Sequence, residues 1–186
     1  MGSSEDRTSS KHIIFVGLMG CGKTTIGREL ARLTGMSFLD MDVLIEEQIG
    51  KSISDIFKHD GEAHFRSLET ALLRYLLEES PAPTAGCIIS TGGGVIMRAE
   101  NRELLRRLGF VIWLDVDVPI LFERTARTNH RPLLQQGDAQ ETLRKLLEVR
   151  APLYAESAHL RLDTSHMEIP DAVRFVKEAS DEYFQA

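Results

Sequence analysis

The sequence predicts an α/β fold in which a five-stranded parallel sheet is flanked by helices. Short apolar runs typical of buried strands alternate with longer segments of helical periodicity along the chain. The first strand leads through a glycine-rich loop directly into a helix. In such folds, ligands bind at the carboxyl ends of the strands, so that loop is the first place to look for a site.

The first half of the chain contains two predicted strands and four helices. The first strand is the apolar run 12–16, and the helix 24–34 follows it, with apolar residues at helical spacing and an end near Gly35. The second strand spans 37–41, and helices follow over 42–47 and 53–57. Asp60 is the expected cap of the helix 62–79, whose apolar stripe contains Phe65, Leu68, Leu72 and Leu76.

The second half continues the alternation after a break at 81–86, PAPTAG. A third strand is predicted over 87–91, a helix over 98–108 and a fourth strand over 110–114. A helix from Pro119, a helix over 139–154, a strand over 160–163 and a helix from about Pro170 complete the chain. No repeat or linker marks a second domain, so we expect one domain over 12–186 behind a disordered tail at 1–11.

The glycine-rich loop matches the pattern GxxxxGK[ST], with Gly17 followed by four residues and then Gly22, Lys23 and Thr24. Its glycines allow backbone N–H groups to turn inward around a polyphosphate, while Lys23 adds a charge and Thr24 a hydroxyl for Mg²⁺. A glycine-rich turn that binds nothing is the alternative, which the flanking strand and helix disfavour. The predicted ATP contacts here are Gly20, Cys21, Gly22, Lys23, Thr24 and Thr25.

Composition limits the partners. A net charge of −6 disfavours nucleic acid, which needs a basic face. The two cysteines cannot form a disulfide framework, so we expect a reducing cytoplasm, and no apolar stretch approaches the length of a membrane span. The six histidines show no metal-ligand spacing.

Asp40 and Asp42 follow the second strand in the sequence LDMD. One carboxylate there could support Mg²⁺ while the other accepts a proton from a substrate hydroxyl. Asp42 could equally cap the next helix. Because the third strand ends in Ser90 and Thr91 and not in an acid, Asp40 is the best candidate for the acidic partner of the metal.

Arginines and glycines supply the remaining candidates. Arg66 and Glu69 share a helix face, where they form either a fork for a carboxylate ligand or a solvated ion pair. The triplet Gly92, Gly93 and Gly94 follows a strand, where backbone often approaches a ligand, although a flexible turn remains possible. The arginines at 124, 127 and 131 could belong to a lid that closes over ATP or to a basic surface loop.

In order and spacing these segments resemble the shikimate kinase family from about Ile13 to Val173. The matching segments are GLMGCGKTT, LDMD, DIFKHDGEAHFRSLE, the triple glycine, RPLL at 131–134 and RAPLY at 150–154. Met41 departs from the family pattern, which usually has Ser or Thr between the two acids.

The resemblance implies a P-loop kinase fold and ATP-dependent phosphorylation of the 3-hydroxyl of shikimate, on the route to chorismate and the aromatic amino acids. It implies that Lys23 and Arg131 stabilise the transferring phosphoryl group, Thr24 binds Mg²⁺ with Asp40 behind it, and Asp42 accepts the hydroxyl proton. Further implied contacts are Arg66 and Arg150 on the shikimate carboxylate, Gly92, Gly93 and Gly94 on ring hydroxyls, Phe57 and Phe65 as pocket walls, and Arg124 with the loop 163–170 around adenine.

The expected protein is therefore a monomeric kinase with a helical substrate-binding segment at about 42–70 and a lid at about 124–138. Two alternatives remain open: another small-metabolite kinase, acting on gluconate or a nucleoside monophosphate, or a catalytically inactive ATP-binding module.

Overall fold

The computed structural model describes residues 11–78, 86–126 and 138–185. Its sheet contains β1 (His12–Val16), β2 (Ser37–Asp40), β3 (Cys87–Ser90), β4 (Gly109–Asp115) and β5 (Leu160–Asp163). The strands are all parallel and lie in the order β2-β3-β1-β4-β5, which confirms the predicted α/β fold.

Eight α-helices and a short 3₁₀ helix, Val95–Met97, lie within the described ranges. The α-helices are α1 (Lys23–Thr34), α2 (Met41–Ile49), α3 (Ile53–His59), α4 (Glu62–Glu78), α5 (Ala99–Leu108), α6 (Val118–Ala126), α7 (Ala139–Ser157) and α8 (Ile169–Gln185). Helices α1 and α8 pack on each other, and α1 also packs on β3. Helices α5 and α7 pack together and on β4, while α4 packs on α5. None of these helices has the length and apolarity that a membrane span requires.

The central strand β1 explains why the fold forms around the glycine loop. All five of its residues are buried, as is typical of a parallel strand covered on both faces. Val16 pairs with Trp113 of β4, and Phe15 pairs with Ser90 of β3. Strands β1 and β3 therefore end side by side, and the turns that follow them, at Gly17 and Gly92, are brought together.

The segment after β2 differs from the prediction by one residue. The strand ends at Asp40 and α2 begins at Met41, because the Asp40 side chain is the N-cap and accepts a hydrogen bond from the Asp42 N–H at 3.1 Å. Asp42 is thus not the helix cap, and its carboxyl is free of that role. Met41 is buried in the core at 1 % exposure.

Asp60 also has a different role from the one expected. It closes the C-terminal end of α3, and its carboxylate pairs with Lys51 at 3.0 Å. The prediction that Asp60 caps α4 is therefore wrong, because α4 begins only at Glu62, after Gly61 at φ 84°.

Three predicted segments lie wholly or partly outside the described ranges. They are residues 1–10 of the expected tail, residues 79–85 with most of the expected break at 81–86, and residues 127–137 of the expected lid, with Arg127 and Arg131. The domain boundaries and the lid stay predictions.

Candidate active site

A cavity of about 1650 Å³ opens where β1, β2 and β3 end. Pockets for one small ligand usually occupy about 300–1,000 Å³, so this one has room for two. Of the adenine loop expected at 163–170, residues 164–169 line the cavity, and so do the following candidates from the sequence analysis: Gly20, Cys21, Gly22, Lys23, Thr24, Thr25, Asp40, Asp42, Phe57, Phe65, Arg66, Gly92, Gly93, Gly94, Arg124 and Arg150. Arg131 lies outside the described residues.

The glycine loop curls around the Lys23 side chain. Gly17, Gly20 and Gly22 have φ of 141°, 81° and 101°, which L side chains rarely adopt. The Lys23 ammonium donates to the carbonyl oxygens of Gly17 at 2.8 Å and Leu18 at 2.9 Å. The loop therefore already holds a cation at its centre, where a polyphosphate would need one.

Three oxygen groups meet at the start of α1. Thr24 Oγ1 donates to Asp40 Oδ2 at 3.0 Å and lies 3.3 Å from Ser90 Oγ. Hydroxyl and carboxylate oxygens suit Mg²⁺, which keeps several waters and takes few protein ligands. Within the described ranges no group of three or more His, Cys, Asp or Glu residues could enclose a metal ion. One hydroxyl and one carboxylate suit an ion that takes its other ligands from phosphate oxygens and water.

Asp42 and Glu69 present carboxyl oxygens to the turn at Gly92. A Cβ atom at Gly92 would lie 2.8 Å from Asp42 Oδ1 and 3.0 Å from Glu69 Oε1. Both oxygens are buried and have no hydrogen-bond partner among the described residues. Burial, reinforced by Asp40, raises the pKa of Asp42 to about 6, and burial together with Asp42 raises the pKa of Glu69 to about 7. Asp42 is thus an unpaired base that can accept a proton near neutral pH.

Arg66 is anchored from two sides on α4. It donates to Glu69 Oε2 at 2.8 Å and to the exposed Glu62 Oε1 at 2.8 Å. Phe57 and Phe65 lie beneath its guanidinium, with ring centroids at 5.9 and 5.4 Å from Cζ. Arg66 therefore does not form a solvated ion pair on an exposed helix face, since its side chain is only 11 % exposed.

The glycine triplet brings the two arginines together. A Cβ atom at Gly94 would lie 2.4 Å from Arg66 Nη2, and one at Gly93 would lie 3.7 Å from Arg150 Nη1. Arg150 Nη1 also donates to the Gly93 carbonyl at 3.2 Å. Two guanidinium groups from distant helices therefore flank consecutive glycines, an arrangement suited to a carboxylate.

Arg124 and the loop after β5 also line the cavity. Arg124 Nη2 donates to the Thr164 carbonyl at 3.4 Å, and residues 164–169 line the cavity with it. The Ser165 hydroxyl and N–H both bond to Asp163 Oδ1, at 2.6 and 2.9 Å, which shapes this loop.

Sequence reasoning missed two residues that shape the site. Ser90 was considered only as a missing acid, yet its hydroxyl adjoins Thr24. Tyr154 was noted only as part of a motif, yet its hydroxyl donates to the Gly93 carbonyl at 2.5 Å. A usable signal was the spacing of Arg150 and Tyr154, because residues four apart lie on the same helix face.

Comparison with known proteins gives consistent matches. The family model described as "Shikimate kinase" matches residues 19–182. A shikimate kinase from a Marinomonas species is 45% identical over 153 residues, which are 82% of this chain and 82% of that protein. The solved structure of shikimate kinase from Acinetobacter baumannii in complex with shikimate matches with a TM-score of 0.84 at 40% identity, covering 92% of this chain and 93% of that one.

A gluconokinase from Sinorhizobium meliloti matches at a TM-score of 0.55 and 15% identity, covering 96% of this chain and 98% of that one, which shows a shared fold only. The extent of the family match and the identity of the relatives together establish that this chain belongs to the shikimate kinase family.

Proposed function

We propose that this chain transfers the γ-phosphoryl group of ATP to the 3-hydroxyl of shikimate, giving shikimate 3-phosphate and ADP. One observation carries the proposal beyond family membership: Arg66 and Arg150 flank Gly94 and Gly93 in the same cavity as Lys23. That arrangement suits a small hydroxy acid whose carboxylate binds the two guanidinium groups while its hydroxyl faces the phosphate loop.

The substrate carboxylate binds to Arg66 and Arg150. Arg66 keeps its orientation because Glu69 and Glu62 hold two sides of the guanidinium, leaving the remaining N–H groups for the ligand. Phe57 and Phe65, with ring centroids 4.9 Å apart, form an apolar wall beside it. The backbone of Gly92, Gly93 and Gly94 contacts the ring hydroxyls.

The nucleotide phosphates bind to the N–H groups of residues 20–25, and Lys23 exchanges its contacts with Gly17 and Leu18 for phosphate oxygens. Thr24, with Asp40 behind it, holds Mg²⁺, which neutralises charge on the phosphates when bound. Adenine lies between Arg124 and the loop 163–170. Arg131, which lies outside the described residues, is our candidate for stabilising the transferring group, and the lid expected at about 124–138 would exclude water.

Asp42 is the base for the substrate hydroxyl. With a pKa of about 6 it is mostly ionised above neutral pH, and its unpaired Oδ1 can accept the hydroxyl proton. A bond forms between the 3-oxygen and the γ-phosphorus while the bond from that phosphorus to the β,γ-bridging oxygen breaks, and ADP leaves with the bridging oxygen. Positioning and charge neutralisation supply most of the acceleration.

The test is steady-state ADP release, coupled to NADH oxidation, with shikimate, gluconate and nucleoside monophosphates as acceptors. We expect kcat/KM for shikimate to exceed that for the other acceptors by at least about 10³, since a buried polar site left unpaired by the wrong ligand discriminates by about 10⁴–10⁵. Preference for gluconate or a nucleotide would refute the substrate assignment. ATP binding without transfer to any acceptor would support an inactive module.

We also propose that the protein acts as a monomer in the cytoplasm, where a reducing environment would keep the free cysteines Cys21 and Cys87 as thiols. Sedimentation velocity at enzyme concentrations used in the assay checks the monomer, which a dimer mass would contradict.

A further inference from the structure

We propose that Tyr154 is a positioning residue for the acceptor substrate, whose hydroxyl fixes the peptide group between Gly93 and Gly94. This inference rests on shikimate being the acceptor. It concerns the orientation of backbone and arginine groups around the substrate, and assigns Tyr154 no contact with the reacting atoms.

One carbonyl oxygen receives two donors from α7. The Tyr154 hydroxyl donates to Gly93 O at 2.5 Å, and Arg150 Nη1 donates to the same oxygen at 3.2 Å. The two donors are four residues apart and so lie on one face of the helix. The Gly93 carbonyl thus ties the glycine turn to the same helix that supplies one of the carboxylate-binding arginines.

The tyrosine is a rigid donor. Its ring is fully buried and stacks on Trp113, with centroids 5.6 Å apart at 28°. Trp113 pairs in the sheet with Val16, the residue just before the glycine loop. Burial raises the pKa of Tyr154, so that its hydroxyl keeps the proton that it donates. Through Tyr154 and Trp113, the Gly93 carbonyl is therefore held in a fixed position relative to the central strands β1 and β4.

Fixing this carbonyl also fixes the next N–H. The Gly93 carbonyl and the Gly94 N–H belong to one planar trans peptide and point in opposite directions. Neither flanking residue has a Cβ, so rotation of this peptide meets little steric resistance without an external hold. Gly94 adjoins the Arg66 guanidinium, so the orientation of this peptide also determines where the backbone lies beside Arg66.

Arg150 provides the weaker hold on this carbonyl. Its Nη1 lies 3.2 Å from the Gly93 oxygen, against 2.5 Å for the Tyr154 hydroxyl, and in the proposed complex other N–H groups of the same guanidinium bind the substrate carboxylate. The neutral Tyr154 hydroxyl has no such second task. It therefore keeps the turn in place while Arg150 binds the ligand.

The experiment replaces Tyr154 by Phe, which removes the hydroxyl and keeps the ring. A net hydrogen bond of this kind corresponds to about a 2- to 10-fold change in an equilibrium constant. We expect KM for shikimate to rise by about that factor, with kcat and KM for ATP within twofold of wild type, since uniform binding of the acceptor is lost. Tyr75→Phe, at a residue 49 % exposed on α4, is the matched control and should change none of these values.

A second readout distinguishes positioning from general stability. In ¹⁵N-labelled protein, the Gly94 amide should shift and exchange faster in Tyr154→Phe than in Tyr75→Phe, while amides of β5 and α8 remain unchanged.

Equal increases of KM for both substrates, an unchanged KM for shikimate, or loss of folded protein in Tyr154→Phe would overturn the inference and assign the hydroxyl to stability or to no role. If the wild type itself does not phosphorylate shikimate, it is the proposed function that fails.

Discussion

Replacing Glu69 by Gln tests whether burial of its carboxyl makes the protein less stable as the pH rises. Glu69 is 1 % exposed and bonds to Arg66, while its second oxygen faces Asp42 across Gly92. Gln keeps the shape and an acceptor for Arg66, and it offers an amide N–H₂ to Asp42 Oδ1. The substitution therefore removes the titration of this side chain while keeping its shape and its bond to Arg66.

The magnitude follows from the pKa of Glu69, which is raised from 4.5 to about 7 mainly by burial. A native acid with a raised pKa holds a proton that the unfolded chain has already released, so stability is greatest below pH 4.5 and falls as the pH rises to about 7. At 1.36 kcal/mol per pH unit, the whole loss is about 3 kcal/mol, of which about 2–3 kcal/mol falls between pH 5 and pH 8.

The assay is urea unfolding of wild type and Glu69→Gln at pH 5 and pH 8. The difference between the two proteins cancels the titrating groups that do not interact with Glu69, and it should change by about 2–3 kcal/mol in favour of the variant at pH 8. Glu62→Gln is the matched control, because Glu62 also pairs with Arg66 but its side chain is 62% exposed. Parallel pH dependence of Glu69→Gln and wild type would refute the reasoning.

Three other changes test separate parts of the site and fold. Asp42→Asn should lower kcat at least about 10²-fold while the Kd for ATP by calorimetry stays within about twofold, and unchanged turnover would exclude Asp42 as the base. Gly94→Ala, where φ is −107°, should raise KM for shikimate by about 10- to 100-fold because the methyl group displaces Arg66; an unchanged KM would mean that the displaced guanidinium does not bind the acceptor. Burial lowers the pKa of His12, whose Nδ1 accepts the Cys87 N–H at 3.1 Å, so stability should fall as the pH drops below 6.5. His12→Asn keeps an acceptor that does not titrate, so unfolding at pH 5.5 and 7.5 should show a smaller loss for the variant than for wild type.

Much of the fold could be predicted from the sequence because its signals are local. The strands and helices follow from apolar periodicity, and their ends were wrong by only a few residues where capping decided the boundary. Asp40 shows why: whether an Asp ends a strand or caps a helix depends on which backbone N–H its carboxylate reaches, and two acids separated by one residue offer both possibilities.

The sequence predicted which residues belong to the site, but not how their side chains are placed relative to one another. Motif order identified Arg66 and Arg150, yet nothing in their spacing of 84 positions says that both would flank one glycine turn. The unpaired oxygens of Asp42 and Glu69 were equally invisible, because a missing partner is a property of the packed interior.

By itself, the sequence determined the alternation of strands and helices, the phosphate-binding loop and the family to which the chain belongs. Each of these depends on residues that are neighbours in the sequence or on the order of motifs along it. Only the tertiary structure decided that α4 and α7 both contact the glycine turn and that Asp42 and Glu69 both adjoin Gly92. It alone also showed that the Tyr154 hydroxyl donates to the Gly93 carbonyl. The physical reason is that these contacts join residues dozens of positions apart, and their distances depend on how the helices pack on the sheet.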